Sequence, residues 1–304
     1  MNKADAVQEY IEKRIKESGI GTPTLDEING FLAEWMQVEN NRPIEHFEGY
    51  SPWEMQQIMH NLLRENCPVQ LASFTKDDCS CVPLFRQVKM LLEFIEKEEK
   101  LKLTKTGNLP LRIVKEIYPI GAPEYFPRSV EKLRTEKDSV SVQMAKIAIQ
   151  LMKAVKIHSN SLSLTETGKE LLKDDCKLLS GLLTMMLTKF NFSFFDYYTS
   201  ENIGVLGAGF TLVLLKLYGK TDQKDTLYSD KYFKAYPMLL EDYIERYEKE
   251  ATYCYSFRVF DVLLCHLGLV TIEESNKYRA NNVKLIHRTE LFDRLFKISS
   301  PKAE

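Results

Sequence analysis

Residues 103–109 read LTKTGNL and residues 164–171 read LTETGKEL, so the chain contains nearly the same phrase twice. Each copy follows an amphipathic apolar segment and a short polar stretch, and a less similar third copy, VKLIHRTELF, occupies residues 283–292. A repeated order of helix, hairpin, Leu-Thr-x-x-Gly and helix is typical of winged-helix units. The phrase therefore predicts a mainly α-helical protein with small β-hairpins, in which repeated winged-helix-like units surround a helical middle.

The segments before the first two copies support this repeat. Their apolar residues recur at intervals of three or four positions, as on one face of a helix. The threonine of the phrase follows the last apolar pair by 12 residues in the first copy, from Leu92 to Thr104, and by 13 in the second, from Met152 to Thr165. In the first copy we expect Thr104 to cap the next helix and Gly107 to permit close approach of the backbone.

Changes in these patterns divide the chain into four predicted segments. Capping boxes at Thr24–Glu27 and Ser51–Glu54 each predict the start of a helix near the N-terminus. Two β-rich runs joined by a long polar loop predict a hairpin near the C-terminus. The predicted segments are a helical N-terminal segment (1–80), two winged-helix-like units (81–176), a helical middle (177–250) and a C-terminal winged-helix-like unit (251–304).

Composition and charge limit the possible functions. The chain of 304 residues has 41 Lys and Arg against 43 Asp and Glu, so its net charge of −2 gives no global attraction to nucleic acid or to an anionic membrane. The N-terminus does not resemble a signal peptide, and the longest apolar stretch is too short to span a bilayer. We therefore expect a cytoplasmic protein without a membrane partner, whose six cysteines are reduced. Cys79 and Cys81 have no further ligands at zinc-site spacing nearby, so no metal site is predicted.

The sequence shows no motif for a known catalytic site, such as His-Glu-x-x-His, a Walker loop or Gly-x-Ser-x-Gly. The segment Gly204–Gly209 imitates a dinucleotide fingerprint, which needs a third glycine where Leu212 stands and also a βαβ unit. An interhelical loop of small residues is the favoured interpretation of this segment. No cofactor and no catalytic residue are predicted.

The winged-helix interpretation has a version in which the units bind nucleic acid. The helix before each hairpin would enter the major groove, and a basic face would be needed because phosphate neutralisation supplies much of the affinity. The second such helix lacks acidic residues and is the best candidate, whereas the third carries Arg258 against Asp261. The candidate nucleic-acid contacts are Arg86, Lys89, Lys146, Lys153, Lys284 and Arg288.

An aromatic run marks residues 190–198, which contain four phenylalanines and two tyrosines. Such rings can stack on nucleic-acid bases. Their mixed spacing and apolar neighbours are more typical of a core and of a seam between domains. If some of these rings prove to be exposed, they would instead indicate a surface for a protein partner.

Several phrases resemble those of a group of uncharacterised bacterial proteins. Arg42-Pro43 followed by GYSPWEM at residues 49–55 is similar to that family's "RP…GLSPEEM" opening, and residues 103–110 are similar to its "LTKKGNLP". The later phrases at 162–168 and 283–292 also correspond, so the resemblance covers about residues 40–298. This chain departs by Tyr50 in place of leucine and by the lack of a glycine in the last phrase.

The resemblance implies the same architecture and a bacterial origin, and it implies no catalytic residues. The most family-specific site is the signature loop, which consists of Thr104, Gly107, Asn108, Leu109 and Pro110. Taken together, the sequence favours a non-catalytic cytoplasmic interaction or regulatory module that contacts another protein. The alternatives are a nucleic-acid-binding winged-helix protein and a nucleotide or cofactor binder that uses the Gly204–Gly209 loop.

Overall fold

The computed structural model describes residues 3–19, 21–124, 133–241, 243, 248–274 and 283–302. In these residues the protein is mainly α-helical with a few short antiparallel strand pairs, so the predicted fold class is confirmed. The chain divides into two compact units, which are residues 1–57 with 300–304, and residues 58–299.

The first unit contains a helical hairpin, whose helices are α1 (Lys3–Ser18) and α2 (Leu25–Asn41). Arg14 of α1 donates to Glu34 of α2 at 2.8 Å. The predicted Thr24–Glu27 capping box is present at the start of α2. The Ser51–Glu54 box also forms, with a 2.9 Å bond from the Ser51 amide to the carboxylate, and it opens α3 (Pro52–His60). Both predicted helix starts are confirmed.

The first part of the second unit, residues 69–173, contains a small three-stranded sheet. Its elements are β1 (Val69–Leu71), α4 (Lys76–Cys81), α5 (Pro83–Glu98), β2 (Leu101–Lys102), α6 (Leu111–Ile117), α7 (Val140–Leu151), β3 (Val155–His158), β4 (Ser161–Leu164) and α8 (Glu166–Lys173). Strands β2, β4 and β3 lie side by side in that order and are antiparallel. From α5 to β4 the order is thus helix, strand, helix, helix, strand, strand.

The rest of the second unit follows the same order. Its elements are α9 (Asp175–Thr188), α10 (Ala208–Tyr218), β5 (Gln223–Lys224), α11 (Asp225–Ala235), α12 (Glu248–Ser256), β6 (Val270–Glu274), β7 (Lys284–Arg288), α13 (Glu290–Leu295) and β8 (Phe296–Ile298). A π-helical segment, Phe257–Leu264, continues α12. The strands of the sheet again lie in the order first, third, second, namely β5, β7, β6, and β8 pairs with β1.

The turn after each third strand is closed in the same way. The Thr165 amide donates to Ala154 O at 3.0 Å, and its hydroxyl donates to Lys153 O at 2.7 Å. In the later sheet the Thr289 amide donates to a backbone carbonyl at 3.0 Å, and its hydroxyl donates to Gly268 O at 2.8 Å. Lys153 and Gly268 both have a positive φ, of 55° and 70°. The second and third copies of the phrase therefore occupy matching positions.

The strand pairings do not follow the boundaries of the four segments that the sequence predicted. Because β2 pairs with β4, the first two copies of the phrase follow two strands of a single sheet, so residues 81–176 share one three-stranded sheet and do not form two separate hairpins. Because β5 pairs with β7, the later sheet recruits a strand from the predicted helical middle. Two-residue strands such as Gln223–Lys224 carry no alternating pattern, and their partners lie about 60 residues away, so local periodicity cannot reveal them.

The two glycines of the phrase serve different purposes. Gly107 has a φ of 77° and open space around its α-carbon, so it is needed for a left-handed turn and the predicted close backbone approach is wrong. Gly168 makes such an approach, since a Cβ there would lie 2.0 Å from Ala154 O. The shared letters thus reflect two separate steric requirements.

Candidate functional site

The candidate basic residues on α5 are bound to internal groups. Arg86 donates from Nε to Ile120 O at 3.0 Å and from Nη1 to Ser80 O at 2.9 Å. Lys89 donates to both carboxylate oxygens of Asp175, at 2.7 and 2.9 Å, and thereby ties α5 to the start of α9. These two side chains stabilise the packing of the helices around α5.

Lys146 of α7 is the centre of a nearly buried ion pair. Its Nζ lies 3.0 Å from both oxygens of Glu136 and 2.7 Å from Gly107 O. The side chain of Lys146 is 11% exposed and that of Glu136 is 7% exposed. Glu136 also accepts the Leu109 amide at 2.5 Å. The pair therefore clamps the signature loop onto the start of α7.

The remaining members of the signature loop build a tight turn. The Thr104 amide donates to Asn108 O at 2.8 Å, and the Thr104 hydroxyl accepts the Asn108 amide at 3.0 Å. Leu109 is buried, and Pro110 is the cap residue of α6. Thr104 does not cap that helix as predicted, because six residues of turn and extended chain separate it from Leu111. In this structure the loop has a structural role.

The candidate residues near the C-terminus are also paired internally. Lys284 of β7 forms an ion pair with Asp261, and its Nζ lies 3.3 Å from Ser256 Oγ. Arg288 pairs with Asp293 at 2.9 Å and donates to a carbonyl of α10 at 3.0 Å. Lys153 is the one exposed member of the six, and its ammonium has no hydrogen bond or ion pair within the described residues.

The helix before each hairpin is largely enclosed. Of the twelve residues of α7, only Leu151 is exposed. In the π-helical segment Phe257–Leu264, every residue except Phe257 is buried. A helix that reads the major groove must present several side chains to solvent. The π-helical segment does not do so among the described residues, and Leu151 is the one residue of α7 that is exposed, while half of that helix is buried.

The Gly204–Gly209 loop is packed within the protein. The Tyr232 hydroxyl accepts the Gly204 amide at 3.2 Å and donates to Leu206 O at 2.5 Å. A Cβ on Gly207 would lie 2.4 Å from the ring of Tyr236, and one on Gly209 would lie 2.6 Å from Leu62. Turns rather than a strand precede the loop. Its glycines allow close packing, and the tyrosine rings fill the space beside it.

The aromatic run divides between the core and the surface. Phe190, Phe192 and Phe195 are buried, whereas Phe194 is 66% exposed and Tyr197 is 98% exposed. Next to the exposed rings lies a cavity of about 410 Å³. The described residues that line it are Val140, Phe195, Asp196, Tyr197, Tyr198, Glu250 and Phe257. We use the term aromatic surface for Phe194, Phe195, Tyr197, Tyr198 and Phe257.

A buried arginine holds the wall of this cavity in place. Arg258 is fully buried, and it binds Asp196 through two bonds, of 2.6 Å from Nε and 2.8 Å from Nη2. Its Nη1 donates to Ser200 O at 2.7 Å and to Ile203 O at 3.0 Å. A forked pair of this kind fixes a carboxylate more firmly than a single bond does. Arg258 therefore orients the chain on both sides of Tyr197.

The electrostatics of the cavity follow from this pairing. Asp196 is neutralised by Arg258, while the carboxylate of Glu250 has no hydrogen bond or ion pair within the described residues. Burial raises the pKa of Tyr198 to about 12, and the charges of Asp196 and Glu250 contribute to the rise, so this phenol is protonated at neutral pH. Among the described residues, the cavity therefore combines aromatic walls with one carboxylate that has no counter-charge.

Only part of this site could be predicted from the sequence. The aromatic run includes Tyr197 and Tyr198, but no pattern in the sequence connects it with Glu250 and Phe257, which lie about 55 residues further along the chain. The sequence set Arg258 against Asp261, whereas Arg258 pairs with Asp196. The available signal was an arginine within an apolar helix, which implies a buried counter-charge without showing where it lies.

Comparisons of the chain with protein-family models, with curated proteins and with solved structures found no match. The described residues contain no group of three or more His, Cys, Asp or Glu side chains placed to hold a metal ion. Within the same residues, no helix has the length and apolarity that a bilayer-crossing helix requires.

Proposed function

We propose that the protein is a non-catalytic interaction module that contacts another protein through the aromatic surface and the cavity beside it. We further propose that residues 83–164 and 208–288 are two winged-helix-like units. Their shared element order and their shared strand order, first, third, second, support this assignment. The contact we infer is cytoplasmic, and the resemblance to a bacterial family is part of the same proposal.

The exposure of Tyr197 and Phe194 carries the proposal. Tyr197 is 98% exposed and lines the cavity, and Phe194, which is 66% exposed, packs edge-on against Phe195 of the same lining at a ring distance of 5.3 Å. Arg258 is hydrogen-bonded to the segment that carries them. Large aromatic side chains are enriched at the centres of protein interfaces, where a few of them supply most of the binding energy. The basic residues that nucleic acid would need are mostly engaged internally.

The test is partner capture with matched variants. Immobilised full-length protein is incubated with a nuclease-treated extract of the source organism, and the retained proteins are quantified by mass spectrometry. The double variant Phe194→Ala and Tyr197→Ala should lose the partner at least about tenfold, since truncation of central aromatic residues costs that much. The control Met238→Ala removes another exposed apolar side chain, 50% exposed, and should retain the partner.

The affinity of the purified partner is then measured for the wild-type protein and for both variants. Equal retention by the wild-type protein and the double variant would contradict the proposal. Capture of the partner from an untreated extract but not from the nuclease-treated extract would favour the alternative, in which the units bind nucleic acid. That alternative rests on Lys153, which is exposed beside the hairpin of β3 and β4.

A further inference from the structure

The cavity has features that select the charge of its occupant. Four of its seven described lining residues are aromatic, namely Phe195, Tyr197, Tyr198 and Phe257. The rings of Tyr198 and Phe257 lie 6.5 Å apart and are tilted by 53°. Faces of aromatic rings attract cations. A cation is therefore favoured over an anion in this space.

The carboxylates of the cavity reinforce this selection. Asp196 contributes little net charge because Arg258 neutralises it at 2.6 and 2.8 Å. Glu250 remains without a counter-charge among the described residues, and it is only partly exposed. A half-buried carboxylate gains most from a partner that brings a positive charge. One uncompensated carboxylate fits one ammonium group.

The volume and surroundings indicate the size of the occupant. A cavity of about 410 Å³ exceeds what a small inorganic cation needs and is within the range of sites that hold organic groups. A lysine side chain can lay its four methylenes along aromatic walls and keep its ammonium at a polar end. The π-helical segment that begins at Phe257 forms one wall, and π-helical insertions occur frequently at functional sites.

We propose that the cavity binds a lysine side chain of the partner protein, with the ammonium between the aromatic rings and Glu250. This inference rests on the proposed function, because it names the part of the partner that enters the aromatic surface. The same alkylammonium chemistry occurs in free small molecules such as choline, so the experiment must separate the two sources. It must also distinguish binding due to the positive charge of the ligand from binding due to its apolar side-chain length.

The experiment is an NMR titration of the full-length protein, labelled on its phenylalanine and tyrosine rings. The probes are N-acetyl-lysine methylamide, its neutral analogue N-acetyl-norleucine methylamide, and choline. We expect the lysine probe to shift the ring signals of Tyr198 and Phe257, and to bind at least about fivefold more tightly than the norleucine probe. Choline should bind more weakly than the lysine probe, because its quaternary ammonium has no N–H that could donate a hydrogen bond to Glu250.

Two variants test the assigned roles. Glu250→Gln should reduce the preference for lysine over norleucine to less than about twofold, since it removes the charge and keeps the shape. Tyr197→Leu should weaken the lysine probe by about threefold, and it is safe for the fold because Tyr197 is 98% exposed. The control Glu93→Gln removes an exposed carboxylate that does not line the cavity, and should change neither probe.

Equal binding of the lysine and norleucine probes would show that the cavity does not select for positive charge. Tighter binding of choline than of the lysine probe would show that the occupant is a small molecule and not a lysine of a partner protein. If no probe shifts the cavity signals, the inference also fails. The proposed function is judged separately, because capture of a partner through Phe194 and Tyr197 does not require that a lysine enter the cavity.

Discussion

Replacement of Lys146 by methionine should destabilise the protein strongly. The change removes the ammonium that donates to Gly107 O at 2.7 Å and to both oxygens of Glu136 at 3.0 Å. Glu136 then lacks its counter-charge in a site where its side chain is 7% exposed, with the Leu109 amide as its remaining donor. Loss of one partner from a buried pair typically costs about 3–5 kcal/mol. We expect a loss of that size in the free energy of unfolding.

A second substitution tests the physical reason. In the double variant Lys146→Met with Glu136→Gln, the amide oxygen of glutamine can still accept the Leu109 amide, and no buried charge remains. The remaining cost is that of lost hydrogen bonds, about 1–3 kcal/mol. The double variant should therefore be more stable than Lys146→Met alone, which two independent losses could not produce.

The assay is urea unfolding followed by circular dichroism, with Lys153→Met as the control. Lys153 is exposed and unpaired within the described residues, so its replacement should change the unfolding free energy by no more than about 0.5 kcal/mol. A loss below about 1 kcal/mol for Lys146→Met, or a double variant less stable than the single one, would refute the clamp that we assign to this ion pair.

Other predictions concern single groups. Gly168→Ala should lower the free energy of unfolding, measured in urea, by at least about 3 kcal/mol, because the new Cβ would overlap a backbone oxygen. Gly107→Ala should lower it by about 1 kcal/mol, because Gly107 has a positive φ. Equal losses would contradict the different roles assigned to the two glycines. Burial lowers the pKa of His266, so below the ordinary value near 6.5 the unfolded chain binds a proton that the folded one does not. Stability should therefore fall between pH 7.5 and pH 5.5 by up to about 1.4 kcal/mol, and a His266→Phe variant should lose this share of the pH dependence. Exposed Cys81 should react with a thiol reagent at pH 8 long before Cys254, whose pKa burial raises to about 12; a fast phase that persists in Cys81→Ser but disappears in Cys254→Ser would contradict this.

The sequence predicted the features that depend on neighbouring residues. The capping boxes at Thr24 and Ser51 opened helices where expected, because the atoms of a capping box lie within four residues. The hairpin of β6 and β7 also followed from its two β-rich runs. The pairings of β2 with β4 and of β5 with β7 could not be predicted, because each joins a two-residue strand to a partner about 60 residues away.

The candidate site shows the same division between local and distant information. The aromatic run at 190–198 was visible in the sequence, yet its spacing did not show that Tyr197 points to solvent while Phe195 is buried. The cavity forms where α12 and its π-helical continuation bring Glu250 and Phe257 against that run. Likewise, the basic residues suggested nucleic-acid contacts because a side chain such as Lys146 does not reveal its buried partner in the sequence.

If the protein contacts another protein through the aromatic surface and does not bind nucleic acid, it should leave DNA unbound. The decisive measurement is the fluorescence anisotropy of a random DNA duplex titrated with the full-length protein at low and at moderate salt. Because five of the six candidate basic residues bind internal groups, we predict no saturable rise in anisotropy even at low salt, where electrostatic attraction is strongest. A rise that weakens steeply with salt, and that Lys153→Glu abolishes, would contradict the account.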